Sequence, residues 1–216
     1  MPTERDNNRL AGVILAGGKS TRMGFSPKSL LQLGGMPLIQ HVALRAGHQL
    51  PRLLVNTNQN PADFAFLGLA VCRDLDSSHQ GPLLGILSAM HWFSTRENPP
   101  DYLVSFAADV PFFPEDLVTR LQQSVRSQNS AVSYCQLEDG IQPLCACWSL
   151  GLMAELQIAV SNGIVGPKLF FQQCQSSPVL FETLQAGDFL NINEPADLLA
   201  AEQILASRGP EATEIR

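Results

Sequence analysis

The sequence predicts an α/β fold, a three-layer αβα sandwich around a Rossmann-like, mostly parallel sheet. Short apolar runs alternate with longer amphipathic ones, the order that feeds parallel strands and their crossover helices. The first run, Ala11–Ala16, is almost continuously apolar and ends at two glycines, as a central strand buried on both faces does. The length of 216 residues, at about 150 residues per domain, favours one large domain.

The elements follow in order. Pro37–Leu50 sets Leu38, Ile39, Val42, Ala43, Ala46 and Leu50 on one helical face, which predicts an amphipathic helix. Arg52–Asn56 reads as a second strand and Leu69–Arg73 as a shorter third. Pro82–Phe93 predicts a helix with Leu83, Ile86, Leu87 and Met90 inward, and Asp101–Ala107 a strand that leads into Asp109. Glu115–Gln128 carries Leu117, Val118, Leu121 and Val125 on one stripe. Ala131–Cys135 and Pro143–Trp148 read as strands, Met153–Val160 and Val165–Gln173 as short helices, and Phe189–Asn191 as a brief strand. Pro195–Ala206 closes the chain as a helix with proline in its first turn, where the missing N–H costs nothing. In such sheets ligands bind beyond the carboxyl ends of the strands. The loops after Ala16, Asn56, Arg73 and Ala107 are therefore expected to converge on one crevice.

Composition excludes several function classes. Apolar residues make up 45% and charged residues 16%, which is incompatible with intrinsic disorder. No apolar run reaches the ~20 residues of a membrane span. The net charge of −6 argues against non-specific nucleic-acid binding, which needs a basic excess. Five scattered cysteines, Cys72, Cys135, Cys145, Cys147 and Cys174, read as buried thiols of a reducing compartment. Cys145 and Cys147 lack the second ligand pair of a zinc site. Met1–Arg9 is polar, without the apolar core of a signal peptide, so a cytoplasmic location is expected.

Leu15-Ala16-Gly17-Gly18-Lys19-Ser20-Thr21-Arg22-Met23-Gly24 follows the first strand and precedes Lys28. Glycines there let backbone N–H groups approach anionic oxygens, and Arg22 and Lys28 add charge, so the segment reads as a phosphate cradle. It is neither a P-loop, since the required first glycine position is Val13, nor G-x-G-x-x-G, since Lys19 stands two after Gly17. Asp109 is followed by Val110-Pro111, a turn signal that ends the strand, and as a loop carboxylate it also suits capping the helix near Glu115.

Further blocks extend the pattern: Lys28-Ser29-Leu30-Leu31, Gly35-Met36-Pro37-Leu38, Val55-Asn56, Arg73-Asp74, Gly81-Pro82-Leu83-Leu84-Gly85-Ile86, Asp109-Val110-Pro111-Phe112 and Asn191-Ile192-Asn193-Glu194-Pro195. Together, over roughly residues 11–200, they resemble the nucleotidyltransferase superfamily that activates sugars and cofactors, and within it the molybdenum cofactor guanylyltransferases (MobA). The glycine segment alone carries only the superfamily; the G-P-L-x-G-I block and the terminal N-x-N-x-P carry the subfamily.

The resemblance implies a fold of the nucleotide-diphospho-sugar transferase type, with a single nucleotidyltransferase domain at 10–206 between polar tails at 1–9 and 207–216. It implies transfer of GMP from GTP to the terminal phosphate of Mo-molybdopterin, forming Mo-molybdopterin guanine dinucleotide and pyrophosphate. Leu15, Ala16, Gly17, Gly18, Lys28, Asn56, Asp74 and Asp109 would bind the nucleotide. Lys28, Arg22 and Asp109 would be catalytic, and Asp109 would hold Mg²⁺, the expected cofactor. Gly81, Pro82, Asn191 and Asn193 would serve the pterin side.

Several of these residues have plainer readings. Asn56 and Asp74 also suit strand-end turns, Gly81-Pro82 an ordinary helix start, and Asn193 a helix entry. Expected partners are GTP and Mo-molybdopterin, with molybdoenzyme clients or delivery chaperones downstream, and neither nucleic acid nor membrane. Alternatives are a cytidylyltransferase for the same cofactor, a sugar-phosphate nucleotidyltransferase, or a non-catalytic nucleotide- or cofactor-binding adaptor. One departure favours the last: the family carries Asp before the phosphate lysine, and here Pro27 stands there, fixing φ and removing an N–H.

Overall fold

The computed structural model describes residues 9–17, 27–76, 81–182 and 185–208. Strand β1 (Leu10–Leu15) is buried at all six positions. Its side chains alternate, with Leu10 and Ile14 entering one apolar layer and Ala11, Val13 and Leu15 the other, as the period of two requires. It pairs in parallel with β4 (Leu53–Asn56) on one side and β6 (Tyr102–Ala107) on the other. Leu15 lies opposite both Asn56 and Ala107, which brings three strand ends level.

Two two-residue strands, β2 (Gln32–Leu33) and β3 (Met36–Pro37), form a small separate ribbon. Its turn is Gly34-Gly35, both at positive φ (58° and 80°), the conformation a tight hairpin demands at both central positions. With β5 (Ala70–Cys72), β7 (Val132–Leu137), β8 (Gly140–Ser149) and β9 (Ser176–Leu180), the main sheet runs β5-β4-β1-β6-β8-β7-β9. The β8 strand alone runs antiparallel to its neighbours, β6 and β7. The strand order reverses direction between β1 and β6, which is where an open α/β sheet forms its ligand crevice.

Helices cover both faces. On one face α1 (Leu38–Gly47) buries Ile39, Val42 and Ala46, and α3 (Leu117–Ser127) buries Leu117, Val118, Leu121 and Val125 against the sheet. On the other face lie α2 (Pro82–Ser94), α4 (Met153–Ser161) and α5 (Pro167–Phe171), around Trp148 and Phe170. Helix α6 (Pro195–Arg208) builds a smaller cluster from Ala201 with Leu33, Leu38, Phe112 and Ile192. It runs two residues past the predicted end, and Arg208 ties it to Asp188 at 2.8 Å. The five cysteines are all free thiols. No helix of the described residues is long and apolar enough to cross a membrane.

Two sequence expectations are corrected, and one strand went unpredicted. Phe189–Asn191 is not a strand: Phe189 has φ of 61°, a left-handed conformation that breaks extension. Its segment instead bonds a loop, Phe189 N–H to Phe112 O and Ile192 N–H to Asp109 O, both at 2.9 Å or less. Ser176–Leu180 is a strand that the serines and Pro178 concealed; as the edge strand it tolerates proline. The helix predicted at Val165–Gln173 shrinks to Pro167–Phe171.

Candidate active site

The crevice is built at the carboxyl ends of β1, β4, β5 and β6. Backbone bonds lock these ends together: Ala16 N–H donates to Asn56 O at 2.9 Å, Ala108 N–H to Leu15 O at 3.2 Å, and Thr57 N–H to Cys72 O at 3.0 Å. The buried Thr57 adds its hydroxyl to Ala16 O at 3.3 Å. Among the described residues, a Cβ on Gly17 would meet nothing within 4 Å. Gly18 and Arg22 lie outside the described residues.

On one side of β1, four predicted residues meet. Lys28 Nζ donates to Asp109 Oδ2 at 2.6 Å, to Asn193 Oδ1 at 2.5 Å and to Asn191 Oδ1 at 3.4 Å. Lys28 is presented by a single 3-10 turn, Lys28–Leu30. Pro27 precedes it with φ of −56°, inside proline's natural range, and its carbonyl accepts from Leu30 N–H at 2.9 Å. Pro27 thus supplies rigidity where the resemblance expects an acid. Asp109 follows β6, and the Ile192–Asp109 backbone bond carries Asn191 and Asn193 to it.

The turn holding these asparagines is braced by Asp197, whose Oδ2 accepts from Asn193 N–H at 2.8 Å and Glu194 N–H at 2.9 Å. This is the acidic half of a capping box at the start of α6. Those two N–H bonds, with Lys28 nearby, hold the Asp197 carboxyl below its ordinary pKa. Asp197 went unnoticed in the sequence, although an acid three positions after the residue before Pro195 is the signal for it.

On the other side of β1, Asn56 is buried and Asp74 half-buried. Asn56 Nδ2 donates to Asp74 Oδ1 at 3.0 Å. A Cβ on Gly85 would overlap Asn56 Oδ1 and press Leu15 Cδ2 at 3.0 Å, so this glycine lets α2 pack against the asparagine. The loop after Asp74 is pinned to the same helix, with Leu75 N–H donating to Ser88 Oγ at 3.0 Å and Ser88 Oγ to Leu84 O at 2.6 Å. Gly81 and Pro82 open α2. Gly81 has φ of 113°, and a Cβ there would strike Val165 O at 2.7 Å. Sequence reasoning also missed Asn58, a second amide on Asp74.

The oxygens of Asp109, Asn191 and Asn193 converge on a cation, the Lys28 ammonium, and the Lys28 and Asp109 side chains are only 20% and 26% exposed. A hard, all-oxygen donor set suits Mg²⁺, which needs only one or two carboxylates once substrate phosphates contribute. Among the described residues no group of three or more His, Cys, Asp or Glu side chains gathers into a metal site.

The family model of the MobA-like NTP transferase domain matches residues 12–174. The chain belongs to that family. A molybdenum cofactor guanylyltransferase of Cereibacter sphaeroides is 36% identical over 197 residues, covering 91% of this chain and 97% of its own. One from Nitrobacter hamburgensis is 32% identical over 199 residues, covering 92% and 95%. Among solved structures, the molybdopterin-guanine dinucleotide biosynthesis protein A of Archaeoglobus fulgidus superposes with a TM-score of 0.74 at 22% identity, covering 91% of this chain and 99% of its own. As a MobA-like NTP transferase, the chain has the fold its sequence predicted, and the family is that of a nucleotidyltransferase enzyme.

Proposed function

We propose that this chain is a molybdenum cofactor guanylyltransferase that uses GTP and Mo-molybdopterin. The observation that carries the reading is the gathering of Lys28, Asp109, Asn191 and Asn193 at the switch point of a MobA-like sheet. The relatives named for that activity cover nearly the whole chain at more than 30% identity, which supports it.

In this reading the terminal phosphate of Mo-molybdopterin attacks the α-phosphorus of GTP in line. The bond from the α-phosphorus to its bridging oxygen breaks, and pyrophosphate leaves with the electron pair. The nucleophile is already ionised, so no general base is required. Catalysis then rests on positioning and charge stabilisation. The backbone of Leu15, Ala16 and Gly17 lies against the nucleotide. Lys28 exchanges its asparagine contacts for the phosphates and stabilises the charge of the departing pyrophosphate, and Arg22 is assigned the same task. Asp109 would hold Mg²⁺, which when bound would supply charge neutralisation at the phosphates. Asp74 offers carboxylate oxygens to the N1–H and N2–H₂ donors of guanine. Asn191 and Asn193, released from Lys28, face the pterin side, and Gly81 and Pro82 are assigned to it from across β1, where they open α2.

Equilibrium dialysis of the full chain with GTP, with and without Mg²⁺, tests the reading. Saturable GTP binding that tightens with Mg²⁺, and a loss of that Mg²⁺ effect in Asp109→Ala, is the expected result. No bound triphosphate at millimolar concentration under either condition would contradict it.

A further inference from the structure

Asp74 is held from two directions. Its Oδ1 accepts from Asn56 Nδ2 at 3.0 Å and its Oδ2 from Asn58 Nδ2 at 2.7 Å. Its own N–H donates to Asn58 Oδ1 at 3.0 Å. Asn58 therefore grips both the backbone and the carboxylate of one residue, sixteen positions away in sequence. The two amides differ in setting. Asn56 is buried, sits opposite Cys72 in the β4–β5 ladder and contacts Cys72 Sγ at 3.7 Å. Asn58 is exposed, and both hydrogen bonds of its side chain go to Asp74. Packing does not explain it.

A lone aspartate turns about two side-chain torsions. One amide donor on each oxygen fixes the carboxylate plane, and each oxygen keeps a further lone pair. A carboxylate so fixed is a rigid two-point acceptor, and the guanine edge, with N1–H beside N2–H₂, is a two-point donor of matching form. We infer that Asn58 is a positioning residue that orients Asp74 and thereby sets selectivity for the 2-amino group of the base. The inference rests on the reading above in which Asp74 faces guanine.

Inosine triphosphate, which lacks the 2-amino group, separates orientation from mere loop support. Dissociation constants for GTP and ITP, each with Mg²⁺, are measured by calorimetry on the full chain, on Asn58→Ala, on Asn58→Asp and on Asp74→Ala. The wild-type chain is expected to favour GTP by about tenfold or more, the scale of one charge-assisted hydrogen bond. Asn58→Ala is expected to bring that ratio within about threefold by weakening GTP more than ITP, which offers Asp74 only its N1–H. Asn58→Asp keeps an oxygen for the Asp74 N–H but removes the donor and adds a like charge, so it is expected to lose the ratio as well. A loop that had merely loosened would weaken both nucleotides alike.

If both Asn58 variants keep the wild-type ratio while Asp74→Ala loses it, the role of Asn58 is overturned and that of Asp74 stands. If Asp74→Ala keeps the ratio, or the wild-type chain has none, Asp74 does not read the 2-amino group and the inference falls with it. Urea midpoints of the variants within the wild-type transition confirm that each is folded when it is titrated.

Discussion

Lys28 Nζ lies 2.6 Å from Asp109 Oδ2, although 81 positions separate the two residues. Two different loops, after β1 and after β6, meet in this pair. It brings together the charge that would receive phosphate and the carboxylate that would hold Mg²⁺. Removing either partner deletes a fixed charge from a site where both side chains are largely shielded, 20% and 26% exposed. Lys28→Ala and Asp109→Ala are each expected to lower turnover with GTP by about a hundredfold or more, the scale of one preorganised electrostatic partner. Steady-state pyrophosphate release from folded variants checks this, and near-normal rates in either would remove the assigned role.

Gly85 sets a steric limit on the base side. Replacing it with Ala gains about 1 kcal/mol of helix propensity. The new methyl overlaps Asn56 Oδ1, and overpacking of this kind costs about 1–3 kcal/mol, so the clash wins. Moving Asn56 strips a donor from Asp74. Gly85→Ala is therefore expected to weaken GTP binding about tenfold. Calorimetric titration reads it, and unaltered affinity would show that Asn56 and Asp74 act independently.

Asp197 gives a pH signature. Its folded pKa lies below the ordinary carboxylate value because Asn193 and Glu194 N–H groups bond the charged form. A depressed folded pKa contributes stability that is fully present above the unfolded value, about 3.9, and is lost as pH falls through the folded one. Asp197→Ala is expected to lower the urea midpoint at pH 7, and the gap to wild type is expected to close below about pH 4. A gap that stays constant with pH would mean that the charged carboxylate does not brace the asparagine turn.

A buried hydrogen bond in the core offers a stability control. Trp148 is fully buried, and its Nε1–H donates to Ser105 Oγ at 2.9 Å. Ser105 Oγ in turn donates to Leu144 O at 2.7 Å. Ser105→Ala leaves the indole N–H without this acceptor, at a cost of about 1–3 kcal/mol. Chemical denaturation should show that loss while GTP affinity holds; a drop in affinity of the same size would link this core bond to the site.

Much of this was legible in the sequence because burial and periodicity coincide there. The run at Ala11–Ala16 is apolar because β1 is covered on both faces, and the stripe of Leu117, Val118, Leu121 and Val125 is apolar because α3 is covered on one. Lys28 was legible as a cation after a glycine turn and Asp109 as an acid at a strand's end, but their grouping with Asn191 and Asn193 was legible only through the family's motifs, since no local pattern joins residues so far apart. The hidden parts had local signals that pointed elsewhere. Pro178 argues against a strand until β9 is known to be an edge, and Phe189 gives no warning of a left-handed turn. Asn58 sits in the polar stretch Asn56-Thr57-Asn58-Gln59-Asn60, where any amide passes for loop filler until Asp74 is folded beside it.

Pyrophosphate release with Mo-molybdopterin as acceptor, measured across GTP, CTP, ATP and UTP with Mg²⁺, tests the central claim most directly. GTP is expected to support turnover and the other three to support little. CTP used in preference to GTP, or no release with any of the four from a folded chain, would contradict the guanylyltransferase reading.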